Sequence, residues 1–381
     1  MLNKVYKKNV LILVAIVLIF TVSCNQDPAG IFATIERTQA VDLGNKMMDN
    51  TAVLALAEFD GEDSHKLYAA TGRRLMRRAF DLHSDWSTME RPDNTDGIID
   101  LVFTSSTANQ AAALFTDGNT ISLHTATGSS INAASYTPSS WSKVSASLIA
   151  GTPNALFTAD DKLFVATRDE DIYRLYWYGS DANTWEELPF DQSPTEIRGV
   201  AENEGTVYVL SSDKVFSGDL DSMSPLSDQP DIDTPDFTAL LINPEDNRMI
   251  ITTSAGRVVA THTDTIDWNI SNKLELSSGS EARLTSIVRA PSDLGVIYIV
   301  GVNQGGIAFY QNNTIESPGE SAINNTNFAG SKLRRTSIIR LLTNSDGKPL
   351  NDEQVIFAGS AGNGLWRGRV TDSSTIVWGQ E

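Results

Sequence analysis

Between Pro92 and Leu101 the chain reads Pro-Asp-Asn-Thr-Asp-Gly-Ile-Ile-Asp-Leu. Side-chain oxygens alternate through Asn94 and Asp96, Gly97 allows a sharp turn, and Asp100 follows. Calcium takes six to eight oxygen ligands, and alternating oxygens around a Gly turn can supply several of them. Asn94, Asp96 and Asp100 are therefore the candidate metal ligands, and Ca²⁺ is the one cofactor the residues suggest. The plainer reading is an Asp-Gly turn that leads into a strand. A second stretch, Asn344-Ser345-Asp346-Gly347 with Asp352, has its last acid displaced from the same rhythm.

Catalytic signals are thin. His65, His83, His124 and His262 are scattered, with no paired His spacing for zinc. No Gly-x-Ser-x-Gly elbow occurs, and no Gly-rich phosphate loop opens a helix. No catalytic residue is assigned. Two carboxylates meeting across a channel would suit glycoside cleavage, and 48 acids leave that alternative open without choosing a pair.

The elements that must position these groups repeat. Seven copies of one pattern run between Leu67 and Arg369: an apolar strand, a tight Gly- or Asp-bearing turn, a second apolar strand. They start at Lys66, Ala112, Leu163, Val207, Met249, Val296 and Val355. A segment poor in charge precedes each: Val53–Phe59, Ile98–Thr104, Ala155–Ala159, Ile197–Ala201, Phe237–Ile242, Leu284–Arg289 and Ser337–Leu342. Such strands read as buried on both faces. The strands that follow carry Trp86, Trp141, Trp185, Trp268 and Trp378, with Trp-less copies near Asp221 and Ile315. Each unit is about 49 residues long, within the range of known blade repeats. A hairpin exposes an apolar face that it cannot bury alone, so neighbouring units must pack together. The chemistry predicts an all-β, seven-bladed β-propeller of four-stranded antiparallel blades over residues 51–381, with the tryptophans packing between blades. Thr125–Ser140, Asp219–Pro235 and Glu316–Arg335 read as loops or outer edges. Ile31–Arg37, within the stretch 24–50, reads as a possible ring-closing strand.

In such a ring the first and last units adjoin. That would set Arg73, Arg74, Arg77 and Arg78 beside Arg334 and Arg335, with Lys332 close by. The joint patch is a candidate for an acidic partner or a glycan carboxylate. The alternative is solvated strand faces paired with local Asp and Glu.

Residues 1–23 read as a signal peptide. Lys4, Lys7 and Lys8 precede an unbroken apolar run, Val10 to Phe20, which is short for a bilayer needing about 20 residues. The formal charge is −19, and loss of those three lysines makes it −22. So acidic a body repels nucleic-acid phosphates, which argues against a nucleic-acid partner. With Cys24 the only cysteine, no disulfide framework or thiolate metal site is available.

Three resemblances add to this reading. Thr21-Val22-Ser23-Cys24 resembles the lipobox of bacterial lipoproteins, with Thr21 where Leu is common. It implies cleavage before Cys24, lipidation there, a membrane partner through the acyl chains, and a place in the bacterial cell envelope facing periplasm or surface. The Asn94–Asp100 stretch resembles the calcium loop of integrin-type propellers; Pro92 stands at that family's first ligand position and cannot serve. The hairpin rhythm with its tryptophans resembles the YCF48-like, two-component-regulator and BNR/kelch-type propellers. Sialidase-type Asp boxes find only Ser180–Trp185, with the wrong spacing. The propeller resemblance implies a binding or assembly scaffold for an envelope protein or glycan. A carbohydrate-active hydrolase or lyase at the channel mouth is the alternative.

Overall fold

Strand-forming residues fill the repeats, and in the computed structural model they make seven four-stranded antiparallel sheets, each in simple chain order. The structure describes residues 51–61, 64–79, 85–105, 107–179, 184–233, 235–276, 279, 281–290, 297–317, 336–343, 355–372 and 375–380. All belong to a unit spanning Asn45–Glu381. Ile31–Arg37 lies outside the described residues.

Blade 1 holds β1 (Ala55–Gly61), β2 (Ser64–Ala70), β3 (Leu75–Ala79) and β4 (Ser87–Met89). Blade 2 holds β5 (Gly97–Phe103), β6 (Gln110–Asp117), β7 (Thr120–Thr127) and β8 (Ser142–Lys143). Blade 3 holds β9 (Thr152–Ala159), β10 (Lys162–Asp169), β11 (Ile172–Gly179) and β12 (Thr184–Glu187). Blade 4 holds β13 (Ile197–Asn203), β14 (Thr206–Ser211), β15 (Val215–Gly218) and β16 (Met223–Pro225). Blade 5 holds β17 (Phe237–Asn243), β18 (Arg248–Thr253), β19 (Val258–His262) and β20 (Asn269–Ile270). Blade 6 holds β21 (Arg283–Arg289), β22 (Tyr298–Asn303), β23 (Gly306–Gln311) and β24 (Thr314–Glu316). Blade 7 holds β25 (Ile338–Thr343), β26 (Val355–Ser360), β27 (Leu365–Asp372) and β28 (Thr375–Gln380).

Each predicted hairpin is the middle pair of a blade, and each predicted preceding segment is its innermost strand. The innermost strands touch in a closed cycle, from β1 to β5, β9, β13, β17, β21, β25 and back to β1. Thr51–Val53 completes the seam with blade 7: the Val53 N–H donates to the Ser360 carbonyl at 2.8 Å, and the Gly364 N–H to Thr51 at 2.8 Å.

A separate apolar cluster fills every seam. Phe59, Tyr68, Phe103, Phe115 and Trp141 join blades 1 and 2, while Val53, Leu67 and Trp86 meet Phe357 and Leu365 between blades 1 and 7. The second strands are buried on both faces, which is why β26 reads Val-Ile-Phe-Ala-Gly-Ser with little polarity. The outermost strands are often only two to four residues long, which limits exposed edge.

Trp86, Trp141, Trp185 and Trp378 are buried. Trp268 is half-buried against the seam of blades 4 and 5 and donates to the Asp228 carbonyl at 3.0 Å. In the two Trp-less blades, fully buried Met223 and Ile315 stand in the outermost strands. Two expectations change. The innermost strands are not buried on both faces: β9 and β25 carry half-buried and exposed positions, and it is the second strands that are shut in. The Thr125–Ser140 insert is not only loop: it carries a one-turn helix, α1 (Gly128–Asn132), and a 3-10 turn at Pro138–Ser140. Ile131 of α1 is fully buried in the blade 1–2 seam, which gives so short a helix the packing it needs.

Candidate functional site

Two turns meet at the seam of blades 1 and 2. The β2–β3 turn is Thr71-Gly72-Arg73-Arg74, closed by the Thr71 N–H to the Arg74 carbonyl at 2.9 Å. Gly72 sits at φ +76°, a conformation that L side chains rarely adopt. The β4–β5 connection, residues 90–96, lies alongside. The Ile98 N–H donates to the Gly72 carbonyl at 2.9 Å and ties the two turns across the seam.

Between them opens a cleft of about 600 Å³. Arg73, Arg74, Arg91, Glu90, Asp93 and Asn94 supply its polar wall, while Met89, Pro92 and Pro138 supply apolar surface. Arg73 and Arg74 are exposed and Arg91 is half-buried. The Arg91 Nη2 reaches the Thr95 carbonyl only at 3.5 Å, and its Nε is buried with no hydrogen-bond partner. A guanidinium offers five donors in a planar fork, so Arg91 holds donors that an oxyanion would satisfy.

The sequence-predicted basic patch divides along strand alternation. Arg73 and Arg74 lie in the turn and face the cleft. Arg77 donates from Nη1 to the Ile131 and Ala133 carbonyls, both at 3.0 Å, and so holds the end of α1. Arg78, on the opposite face of β3, is 3% exposed and lies over the Trp86 ring at 5.7 Å. Lys332, Arg334 and Arg335 lie outside the described residues, as does Cys24. Arg91 is the cleft residue that sequence reading missed: a single cation between Glu90 and Pro92 carries no pattern.

The candidate calcium residues are spread apart in function. Asn94 takes φ +62° on the exposed loop. Asp96 accepts from the Thr116 hydroxyl at 2.7 Å and the Gly118 N–H at 3.0 Å, and those bonds hold its carboxyl below the usual range. Asp100 is buried and accepts the N–H groups of Leu101 (3.0 Å) and Leu156 (2.9 Å), the latter on β9 of the next blade. Burial pushes its pKa up, opposed by the charge of Arg340 and by those two bonds. Among the described residues no three His, Cys, Asp or Glu side chains stand close enough to share a metal.

A second cavity, about 440 Å³, opens among the innermost strands. Leu56, Glu58 and Asp60 of β1 line it, with Phe103, Thr104, Thr158 and Leu342. Glu58 is hydrogen-bonded to the His65 Nε2 at 2.5 Å.

Seven consecutive four-stranded blades with a sealed seam at every junction make this protein a seven-bladed β-propeller. Among solved structures, YCF48 from Cyanidioschyzon merolae resembles it with a TM-score of 0.56 at 10% identity, covering 84% of this chain and 95% of YCF48. The computationally designed Ika8 protein resembles it with a TM-score of 0.51 at 12% identity, covering 86% and 99% respectively. At such identities the likeness is one of fold. No known family model matches the sequence, and no curated protein matches it either.

Proposed function

We propose that this propeller is a lipid-anchored scaffold of the bacterial cell envelope that binds a partner through the cleft between blades 1 and 2. The observation that carries the reading is that cleft, where Arg73, Arg74 and Arg91 gather on a chain whose formal charge is −19. Propeller faces commonly serve as binding platforms built from turns on a rigid ring. The anchor rests on the sequence: Ser23-Cys24 directly follows the apolar run, and buried acyl chains contribute about 0.8 kcal/mol per CH₂. Envelope protein and envelope glycan are the two partner classes consistent with this address.

Cell fractionation and pull-down test it together. Wild-type protein should sediment with membranes, and Cys24→Ser should move it to the soluble fraction. Continued membrane retention of that variant would overturn lipidation at Cys24. Pull-down from envelope extract should retain a partner on the wild type. Recovery of none, with release of sugar from an envelope glycan that Glu58→Gln abolishes, would transfer the function to the inner cavity and its acids.

A further inference from the structure

Among the described residues the ring closes without exchanging a strand. Every strand of blade 7 comes from residues 338–380 and every strand of blade 1 from residues 55–89. At the other six junctions the chain runs on from one blade to the next, as residues 90–96 do between β4 and β5, and that link holds the two faces at a high effective concentration. Blades 7 and 1 have no such link. Packing around Val53 and Phe357 joins them, with Thr51–Val53 laid along the β26–β27 turn. Ala52 and Ala361 are antiparallel bridge partners, flanked by the hydrogen bonds from Val53 to Ser360 and from Gly364 to Thr51. Gly359 makes room for this segment: a Cβ there would lie 2.9 Å from the Val53 Cγ1 and 3.1 Å from the Val53 carbonyl oxygen.

The segment lies on the one Asn-Gly pair of the chain, Asn363-Gly364. Glycine has no side chain to hinder its own nitrogen, so such a pair readily loses ammonia. The Gly364 backbone nitrogen gives up its proton and bonds to the Asn363 Cγ; the Cγ–Nδ2 bond breaks and ammonia leaves. Water then opens the cyclic imide to aspartate or isoaspartate. In the closed ring both reacting groups are engaged. The buried Gly364 donates its N–H to the Thr51 carbonyl at 2.8 Å, and the Asn363 Nδ2 donates to the Thr336 hydroxyl at 3.2 Å. The Asn363 carbonyl accepts from the Gln380 Nε2 at 2.8 Å, which holds the peptide between the two residues. We propose that Thr51–Val53 is a releasable latch on the ring, and that its release opens Asn363 to deamidation. Isoaspartate adds a methylene to the main chain of the turn, which moves the Gly364 N–H off Thr51 and keeps the latch from seating again. The device depends neither on the lipid anchor nor on the blade 1–2 cleft.

The test follows Asn363 by peptide mass spectrometry in the full chain, kept in detergent at mildly alkaline pH. Asn363 should deamidate at least about tenfold more slowly in the folded ring than in urea, as a rarely opened segment requires. Gly359→Ala crowds Val53 and should speed the reaction in the folded ring at least about fivefold. Gly199→Ala crowds the blade 4–5 seam to a similar degree, its Cβ 2.8 Å from the Leu240 Cβ, and should leave the Asn363 rate unchanged. Ala52→Cys/Ala361→Cys puts thiols on the bridge partners. Once oxidised, that pair should slow deamidation below the wild-type rate, and reduction should restore it. Circular dichroism melting checks that the variants fold; Val53→Ala, which loosens the latch without crowding, replaces Gly359→Ala if that variant does not fold. Equal rates in folded and urea-unfolded wild type overturn the proposal. So does equal acceleration in Gly199→Ala, which would assign the opening to the ring as a whole, or undiminished deamidation after the cysteine pair has oxidised.

Discussion

The inside of the blade 1–2 seam and the cleft at its rim are built from the same two blades and obey different rules. Inside, Phe115 is fully buried and meets the rings of Trp141 at 5.5 Å and His124 at 5.0 Å, both edge-on. Tyr68 donates to the Asn132 side chain at 3.0 Å and anchors α1. At the rim, Arg91 has an Nε with no acceptor, and Arg73 reaches solvent. Groups that have found partners within the chain hold the ring together. Groups whose donors are left over are those a second molecule can use.

The largest effect should come from breaking the inside. Phe115→Ala removes a fully buried ring and should cost about 3–5 kcal/mol in urea unfolding. Arg73→Ala at the rim should change stability by no more than about 0.5 kcal/mol, as exposed substitutions usually do. Equal costs for the two would erase the distinction between packing and rim.

The same distinction governs what could be read from sequence. Seam residues announce themselves because burial demands apolar type and strand period; all seven hairpins and the flanking tryptophans were legible for that reason. The same repeat placed the Trp-less copies near Asp221 and Ile315; what it could not give is that Met223 and Ile315 are the residues that fill the Trp's place. Gly128-Ser-Ser-Ile-Asn has little helix propensity, so α1 was read as loop; tertiary packing of Ile131 overrides it. Arg73, Arg74, Arg77 and Arg78 read as one basic cluster, yet Arg77 and Arg78 alternate across β3 and fall into different contacts. Asp96 and Asp100 share a rhythm in sequence and separate in space, one to a turn and one to the next blade. Arg91 depends on a meeting of two turns across a seam, which no local pattern encodes.

A smaller effect probes the inside through pH. His124 is 5% exposed, bonded through Nε2 to the Ser122 hydroxyl at 3.1 Å, and its Nδ1 has no partner. Burial, and then the charge of Lys143, pushes its pKa down to about 4. In the unfolded chain it returns to about 6.5, so the unfolded state binds more protons between these values. Stability linked to His124 is therefore complete above about pH 6.5 and is lost as pH falls towards 4. The loss should be on the order of 3 kcal/mol. Denaturant unfolding at pH 7 and pH 4.5 should show a smaller pH-dependent loss in His124→Leu than in wild type. Identical losses would mean that the imidazole is hydrated or protonated in the folded ring.

The smallest effect on stability should come from the residue that joins the two regions. Asp96 lies on the rim loop, yet its carboxylate takes the Thr116 hydroxyl and the Gly118 N–H of the β6–β7 turn. It positions the loop that carries Arg91 without belonging to the cleft wall. Asp96→Ala should leave the melting temperature within about 2 °C of wild type, the scale of a fraction of a kcal/mol in a domain of this size. Retention of the envelope partner should nevertheless weaken roughly fivefold, because the loop must then be ordered on binding. Asp96→Asn, which keeps one acceptor for Thr116 or Gly118, should recover part of that loss. Full affinity in Asp96→Ala would show that the cleft is held by the Ile98–Gly72 hydrogen bond alone, and that the rim owes its order to the seam rather than to its own turn.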